Sequence, residues 1–405
     1  MRKLKLTDIA PYSGKRVQPF DGMKRYLSTG DLKGENLSFE DVTYKSKPSR
    51  ADIIVDKGDV LFAKMINTNK ALLIDSELDG IIVSTGFSVH KPIENILVNE
   101  YFLHFLKHDI FHRQKNKLCT GAIQSAISNS SLEKFFVPVP DYSDQLYIAN
   151  ILSKAETLIN QRKESIRLLD QYLKNTFLEV FGDPILNKKK WKLFQVSEYG
   201  ESRLGKMLDG KKIIGNNLKP YLRNSNVLWF RFKLDDLLEM DFDEKDRIEF
   251  SLMHGDILMC EGGEIGRCAI WRGEFEECYF QKAIHRIRLN KNIVIPEYFV
   301  HMFWFYTMNG GLNKYMGAAT ISHLTGEKLK KMKLPIPPLD LQFQFAQIVE
   351  KTEALKAQYQ QSLQELEQLY GSLSQKAFSG ELTMKEDRFQ QAAEPSMEYK
   401  KSEKF

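Results

Sequence analysis

The sequence lacks the marks of several large protein classes. Its four cysteines, Cys119, Cys260, Cys268 and Cys278, are irregularly spaced with no C-x-x-C pair, so neither a zinc knuckle nor a disulfide framework is encoded. The longest apolar stretch, Tyr298 to Met308, is far short of a membrane span, and the opening MRKLKLTDIAPYSGKR has no apolar run of a signal peptide. These absences predict a cytoplasmic chain with reduced thiols and no membrane contact. No G-x-x-x-x-G-K-[ST] phosphate loop occurs, and the nearest Gly-rich stretch, Gly262-Gly263-Glu264-Ile265-Gly266, reads as a turn between strands. The proline pair with which amino-methyltransferases grip a base, flanked by Asn or Asp and an aromatic, is also missing, because Pro337-Pro338 sits between Ile336 and Leu339. Asp-x-Lys triplets of nuclease type stand at Asp209-Gly210-Lys211 and Asp243-Glu244-Lys245, at a frequency chance supplies in a chain with 27% charged residues. A net charge of +5 over 405 residues tolerates an anionic partner without demanding one.

What is present is a duplication. At 405 residues the chain exceeds one ordinary core, and 42% hydrophobic residues suffice for two. Slid against itself by 195 to 197 residues, Gly58-Asp59-Val60-Leu61 falls on Gly255-Asp256-Ile257-Leu258, and Glu100-Tyr101-Phe102 on Glu297-Tyr298-Phe299. Val137-Pro138-Val139-Pro140 falls on Leu334-Pro335-Ile336-Pro337, Tyr26-Leu27 on Tyr221-Leu222, and Val89-His90 on Ile284-His285. Such a period is too long for a solenoid, so each unit is a domain. Short β-branched runs such as Asp52 to Val55, Val60 to Ala63 and Gly80 to Val83 alternate with turns, and Glu100 to Lys117 reads as helix. The second copy offers Asp256 to Met259, Cys268 to Trp271, Ala283 to Leu289 and the helical Pro296 to Met308. The fold class is α+β.

After each proline string the helix breakers disappear. From Gln145 to Phe181 apolar residues recur three or four apart at Ile148, Leu152, Ala155, Ile159, Ile166, Leu169, Leu173 and Val180. Phe345, Val349, Thr352, Tyr359, Leu363, Leu366, Tyr370 and Leu373 repeat the register. This is a coiled-coil seam, interrupted once in each copy by Arg162 and Lys356, which fix register. About 37 helical residues make a rod on the order of 55 Å long, whose stripe the other copy covers most simply in an antiparallel pair. The layout is therefore a first domain over 1–142, a helix over 143–182, a second domain over 183–338, a helix over 339–380 and a mobile tail over 381–405.

With catalytic motifs missing, the polar loops carry the candidate chemistry. Arg and Lys pair with guanine edges or phosphates, and Asn or Gln with adenine edges. The first copy offers Lys24, Arg25, Ser28 and Thr29, then Lys64, Asn67, Thr68, Asn69 and Lys70, then Thr120, Gln124 and Ser125. The second offers Arg223, Asn224 and Asn226, then Glu264 and Arg267, Gln281 and Lys282, and Thr320, Ser322 and His323. His90 and His285 read as the repeating histidines, each in an apolar strand.

Taken together, GDVLFAK and GDILMCEGGEIGR, the TGAIQ and GAATIS loops, and the helix-opening strings FFVPVPDYSDQLYIANIL and KMKLPIPPLDLQFQFAQIV resemble the specificity subunit of Type I restriction-modification enzymes over about residues 20 to 380. The resemblance implies two pseudo-symmetric target-recognition domains, separated by two long helices in an antiparallel coiled coil, that read a bipartite, asymmetric site in double-stranded DNA. It implies a non-catalytic chain docked to two methylation subunits and to restriction subunits, with S-adenosylmethionine, ATP and Mg²⁺ bound by those partners. The first copy departs in having Asp141-Tyr142-Ser143 where the second has Pro338-Leu339-Asp340, and in a KMINTNK loop without the glycines of EGGEIGR. Two rivals stay open: a scaffold with two protein-docking domains, which predicts no steep loss of DNA affinity with salt, and a stand-alone methyltransferase or nuclease.

Overall fold

In the computed structural model the chain forms two units, Met1–Lys163 with Gln361–Phe405, and Glu164–Gln360. All residues are described except 35, 121–124, 208–214, 216, 316–322 and 385–405. Each unit holds one globular domain and a part of both long helices, which span Tyr142–Phe181 and Leu339–Ser379.

The Gly-Asp pairs that carry the repeat build the central strands. Gly58 and Gly255 lie in the left-handed region, at φ 83° and 94°, where a side chain would be strained. The aspartate that follows is buried and closes the turn: Asp59 Oδ2 accepts from Asp56 N, and Asp256 Oδ2 from Met253 N. Directly after it run Val60–Ala63 and Ile257–Cys260, buried at every position. In the first unit Val60–Ala63 lies between Phe87–His90 and Ala71–Leu73. In the second, Ile257–Cys260 lies between Ile284–Leu289 and Cys268–Ile270, with Gly200–Leu204 added at the edge. A second sheet in each unit contains a parallel pair, with Tyr26 opposite Ile82 in one and Tyr221 opposite Tyr279 in the other.

The proline strings are extended, as residues before proline must be, and they pair antiparallel with the first strand of each copy: Arg2–Lys5 with Phe136–Val139, and Lys192–Gln195 with Lys333–Ile336. Two polar contacts then fix the helix openings identically. Tyr101 Oη donates to Pro138 O at 2.6 Å and Tyr298 Oη to Pro335 O at 2.7 Å. Gln145, fully buried, accepts from Val98 N and donates to Ile96 O and Pro140 O, while Gln342 accepts from Ile295 N and donates to Ile293 O and Pro337 O.

Within each unit the helical segments run antiparallel. In the first, Asp144 Oδ1 accepts from Met384 N and Lys163 pairs with Glu367. In the second, Lys356 pairs with Asp170, and Phe345 packs against Phe177 and Phe181. Ile148, Leu152, Ala377 and Phe378 join one domain core, and Leu173, Phe177, Phe181, Phe345 and Val349 the other. Ile166, Leu169, Leu363 and Leu366 are only partly covered.

Two expectations change. The helix read over Glu100 to Lys117 is two, Asn99–Lys107 and Asp109–Leu118, because His108 takes an extended conformation and its Nδ1 accepts from Ile110 N as the cap of the second. The histidine pairing is also corrected. His90 lies opposite Val60, whereas His285 lies opposite Met259, the counterpart of Phe62. A two-residue slip keeps every side chain on its own face, so alternation in the sequence does not expose it. The histidines that repeat are His104 and His301, both buried on the helices Asn99–Lys107 and Pro296–Met308.

Candidate nucleic-acid interface

In the first unit the strand Lys24–Leu27 delivers Ser28 and Thr29 to the edge where the loop 64–70 emerges. That loop is held mainly through backbone: Lys64 N donates to Gly86 O, Ile127 N to Lys64 O and Ile66 N to Ser125 O. Thr120 and Ala126 exchange both backbone bonds beside it. Asn67 is left-handed at φ 54°; its backbone N–H donates to Asn116 Oδ1 and its Oδ1 accepts from Asn116 Nδ2, while Asn69 Nδ2 donates to Lys107 O. Thr68 Oγ1 donates to Ile66 O. Burial pushes the Lys64 ammonium below the ordinary lysine range. Ser28, Thr29, Lys64, Asn67, Thr68, Asn69, Lys70, Thr120 and Ser125 are thus brought to one edge. Lys24 and Arg25 are not, since they sit at the opposite end of their strand, Lys24 over the Phe20 ring and Arg25 over Phe39 with a bond to Glu77 O.

The second unit repeats the framework with other side chains. Glu261 N donates to Ala283 O and Leu324 N to Glu261 O, the counterparts of the Lys64 bonds. Gly263 and Gly266 are left-handed, at φ 72° and 82°, and curl the loop 261–267 tightly. His323 lies against Gly262, so close that a Cβ there would stand 2.8 Å from Nδ1. Gln281 is joined to the neighbouring strand through its backbone, and Lys282 is exposed.

Several candidates turn out to be fastenings. Lys70 Nζ donates to Thr29 O at 2.6 Å, and at the equivalent place Arg267 Nη2 donates to Asn224 O at 2.9 Å. Arg267 also pairs with Glu264, and Asn224 Nδ2 donates to Gly262 O. Asn226 is fully buried, bonded to Asp236 and Lys233 O, and Arg223 clasps the same turn through Asp236. Asn226, enclosed in this way, stabilises its turn, whereas Lys70, Arg223, Asn224 and Arg267 remain part-exposed. Gln124, Thr320 and Ser322 lie outside the described residues, as does the triplet Asp209-Gly210-Lys211. The sequence reading missed Gln145 and Gln342, which the spacing of five after Pro140 and Pro337 signals, and Lys115 and Asn116, which nothing local signals.

Among the described residues no helix is long and apolar enough to cross a membrane, and no group of three His, Cys, Asp or Glu could hold a metal ion. What the geometry defines is a duplicated frame that displays a variable loop once per unit.

Comparison with known proteins agrees with this class. The family model for the Type I restriction modification DNA specificity domain matches twice, over residues 1–168 and 188–368. The chain belongs to that family of specificity subunits. It is 23% identical over 312 residues to the EcoKI specificity subunit of Escherichia coli, covering 72% of this chain and 67% of that one. It is 24% identical over 261 residues to a Haemophilus influenzae protein described as a putative type I specificity subunit, covering 62% and 64%. The chain thus spans about two thirds of the length of these relatives. Its fold is similar to the Type I restriction-modification S subunit from M. genitalium, with TM-score 0.58, 13% identity and coverage of 93% and 96%. A chain from a structural study of complex assembly and conformational transition in a type I system gives TM-score 0.55, with 20% identity and coverage of 94% and 98%.

Proposed function

We propose that each unit reads one half of a bipartite, asymmetric site in double-stranded DNA, the loop 64–70 and its neighbours serving one half and the loop 261–267 the other. The carrying observation is that the backbone bonds anchoring these loops at Lys64 and Glu261 recur in both units while the displayed side chains differ. Matching anchors bring the two loops to DNA in the same way; different side chains select different bases. The halves are spaced about one duplex turn apart, roughly 34 Å, by the long helices acting as an antiparallel coiled coil between the domains 1–142 and 183–338.

The chain is non-catalytic and directs partner subunits. Exposed apolar residues on the helices repeat at the period of the duplication, Leu146 with Phe343, Leu158 with Leu355 and Tyr172 with Leu369, at 37% to 51% exposure. Two matched sets of exposed positions suit two copies of one methylation subunit. S-adenosylmethionine, ATP and Mg²⁺ belong to the methylation and restriction partners, and adenine is methylated there.

The test replaces residues 185–338 with the same region of a relative, co-expresses the chain with its methylation partner, and maps methylated adenines in the host DNA. One half of the motif should change and the other should stay. A change in both halves, or in neither, would refute the proposal.

A further inference from the structure

The two loops reach a similar frame by different physical means. In the second unit Gly266, left-handed, turns its own N–H back to Cys260 O at 3.1 Å, and Leu312 packs beneath it. The residue equivalent to Cys260 is Ala63, and the loop that follows it contains no glycine. There Ala63 O is served by the ammonium of Lys115, 3.1 Å away, on the helix Asp109–Leu118. Lys115 occupies the position equivalent to Leu312, and its Nζ also donates to Thr68 O.

Lys115 is 1% exposed, and no carboxylate pairs with it among the described residues. A buried ammonium is costly unless its donors are used. Here desolvation pushes its pKa down to about 8, with only the Cys119 thiol acting in the other direction. The neighbouring Asn116 holds Asn67 by two bonds, at 3.1 and 3.0 Å, so the same helix pins the loop from inside and at its tip.

We infer that Lys115 is a positioning residue for DNA recognition by the first unit, its buried ammonium substituting for the glycine-made turn of the second and fixing the conformation of loop 64–70. This rests on the reading that these loops face DNA. Lys115 itself touches no base. Its effect reaches the DNA through Thr68 and the loop tip, and only at one half of the site.

Lys115→Met keeps the length of the side chain and removes the two bonds. The full chain, with its methylation partner, is expressed as wild type and as Lys115→Met, and methylated adenines are mapped. In the purified full chains, amide hydrogen exchange is followed in peptides covering 64–70 and 261–267. The expected result is a motif in which one half loses discrimination by about tenfold or more at one or more positions, the scale of a lost base contact, while the other half is unchanged. Exchange should quicken in 64–70 alone. An unchanged motif overturns the inference. So does relaxation of both halves, or faster exchange spreading through Val60–Ala63, which would mean that Lys115 supports folding and not the loop. A wild type with no two-part motif would instead overturn the underlying reading, and it is told apart because it appears without any substitution.

Discussion

The paired glutamines allow a stability test with an internal control. Gln145→Leu would remove an acceptor from Val98 N and donors from Ile96 O and Pro140 O, and Gln342→Leu the same three bonds at Ile295, Ile293 and Pro337. Leucine fills nearly the same space, so the main cost is three stranded backbone groups. At about 1–3 kcal/mol for each unsatisfied group, partly relieved by relaxation of the carbonyls, the loss is about 3–5 kcal/mol per variant. All four tryptophans, Trp191, Trp229, Trp271 and Trp304, fall in the second unit, so their fluorescence reports on that unit alone. With a urea slope of about 2–3 kcal/mol per molar for a unit of this size, Gln342→Leu should lower the tryptophan-detected midpoint by about 1–2.5 M. Gln145→Leu should lower the midpoint seen by circular dichroism and shift the tryptophan signal far less. If Gln145→Leu moved the tryptophan midpoint more than Gln342→Leu, or if Gln342→Leu left it in place, the assignment of these side chains to their own units would fail.

Two further outcomes follow from the same pseudo-symmetry. Tyr101→Phe and Tyr298→Phe should each cost about 1–2 kcal/mol, because each leaves a proline carbonyl without its hydroxyl donor; denaturant melts giving one large and one negligible effect would contradict their equivalence. Burial pushes His104 and His301 down to about 4, with the nearby Lys107 and Lys356 acting in the same direction and Glu156 and the Glu297 carbonyl opposing. A depressed histidine contributes stability that is present above its unfolded value near 6.5 and lost as pH falls toward 4, on the order of 3 kcal/mol for each. Tryptophan-detected melts of the second unit should therefore weaken between pH 6.5 and 4 in wild type and less so in His301→Phe; stability that rose over that interval would reverse the sign.

Much of the scaffold was readable because its determinants are local. Gly58 and Gly255 need a left-handed turn, the buried aspartates close it, and Pro138 and Pro335 force extended chain before each helix, so all of them survive as letters at a fixed spacing. The candidate interface was readable only as a set of loops. Nothing in the letters separates Asn226, enclosed by Asp236 and Lys233, from an exposed asparagine, since the enclosing groups stand seven and ten residues on and only the folded turn brings them back. Lys24 and Arg25 look like ideal phosphate partners but lie at the far end of a strand, a matter of sheet topology. The two-residue histidine slip was hidden for a related reason: strand register is set by pairing across the sheet, and either register satisfies the same alternation.

If the loops read DNA as proposed, the way they are fastened bears on how one frame can serve different sequences. Around both loops the bonds that recur use backbone atoms: Lys64 and Glu261 match through their N–H and C=O groups although their side chains carry opposite charge. Lys70 and Arg267 likewise each donate to a main-chain carbonyl, and that bond recurs although only Arg267 adds a side-chain partner, Glu264. A frame built this way places few demands on the identities of the displayed residues, so substitutions at the tips need not disturb the fold. At the helix openings, by contrast, side-chain identity itself recurs in Tyr101 and Tyr298 and in Gln145 and Gln342. There the geometry to be held is that of the long helices against each domain, which both copies share. The replacement of the glycine turn at Gly266 by the ammonium of Lys115 marks the limit of this tolerance: when the loop loses its glycines, the carbonyl at Ala63 still requires a donor, and one is supplied from the helix beneath.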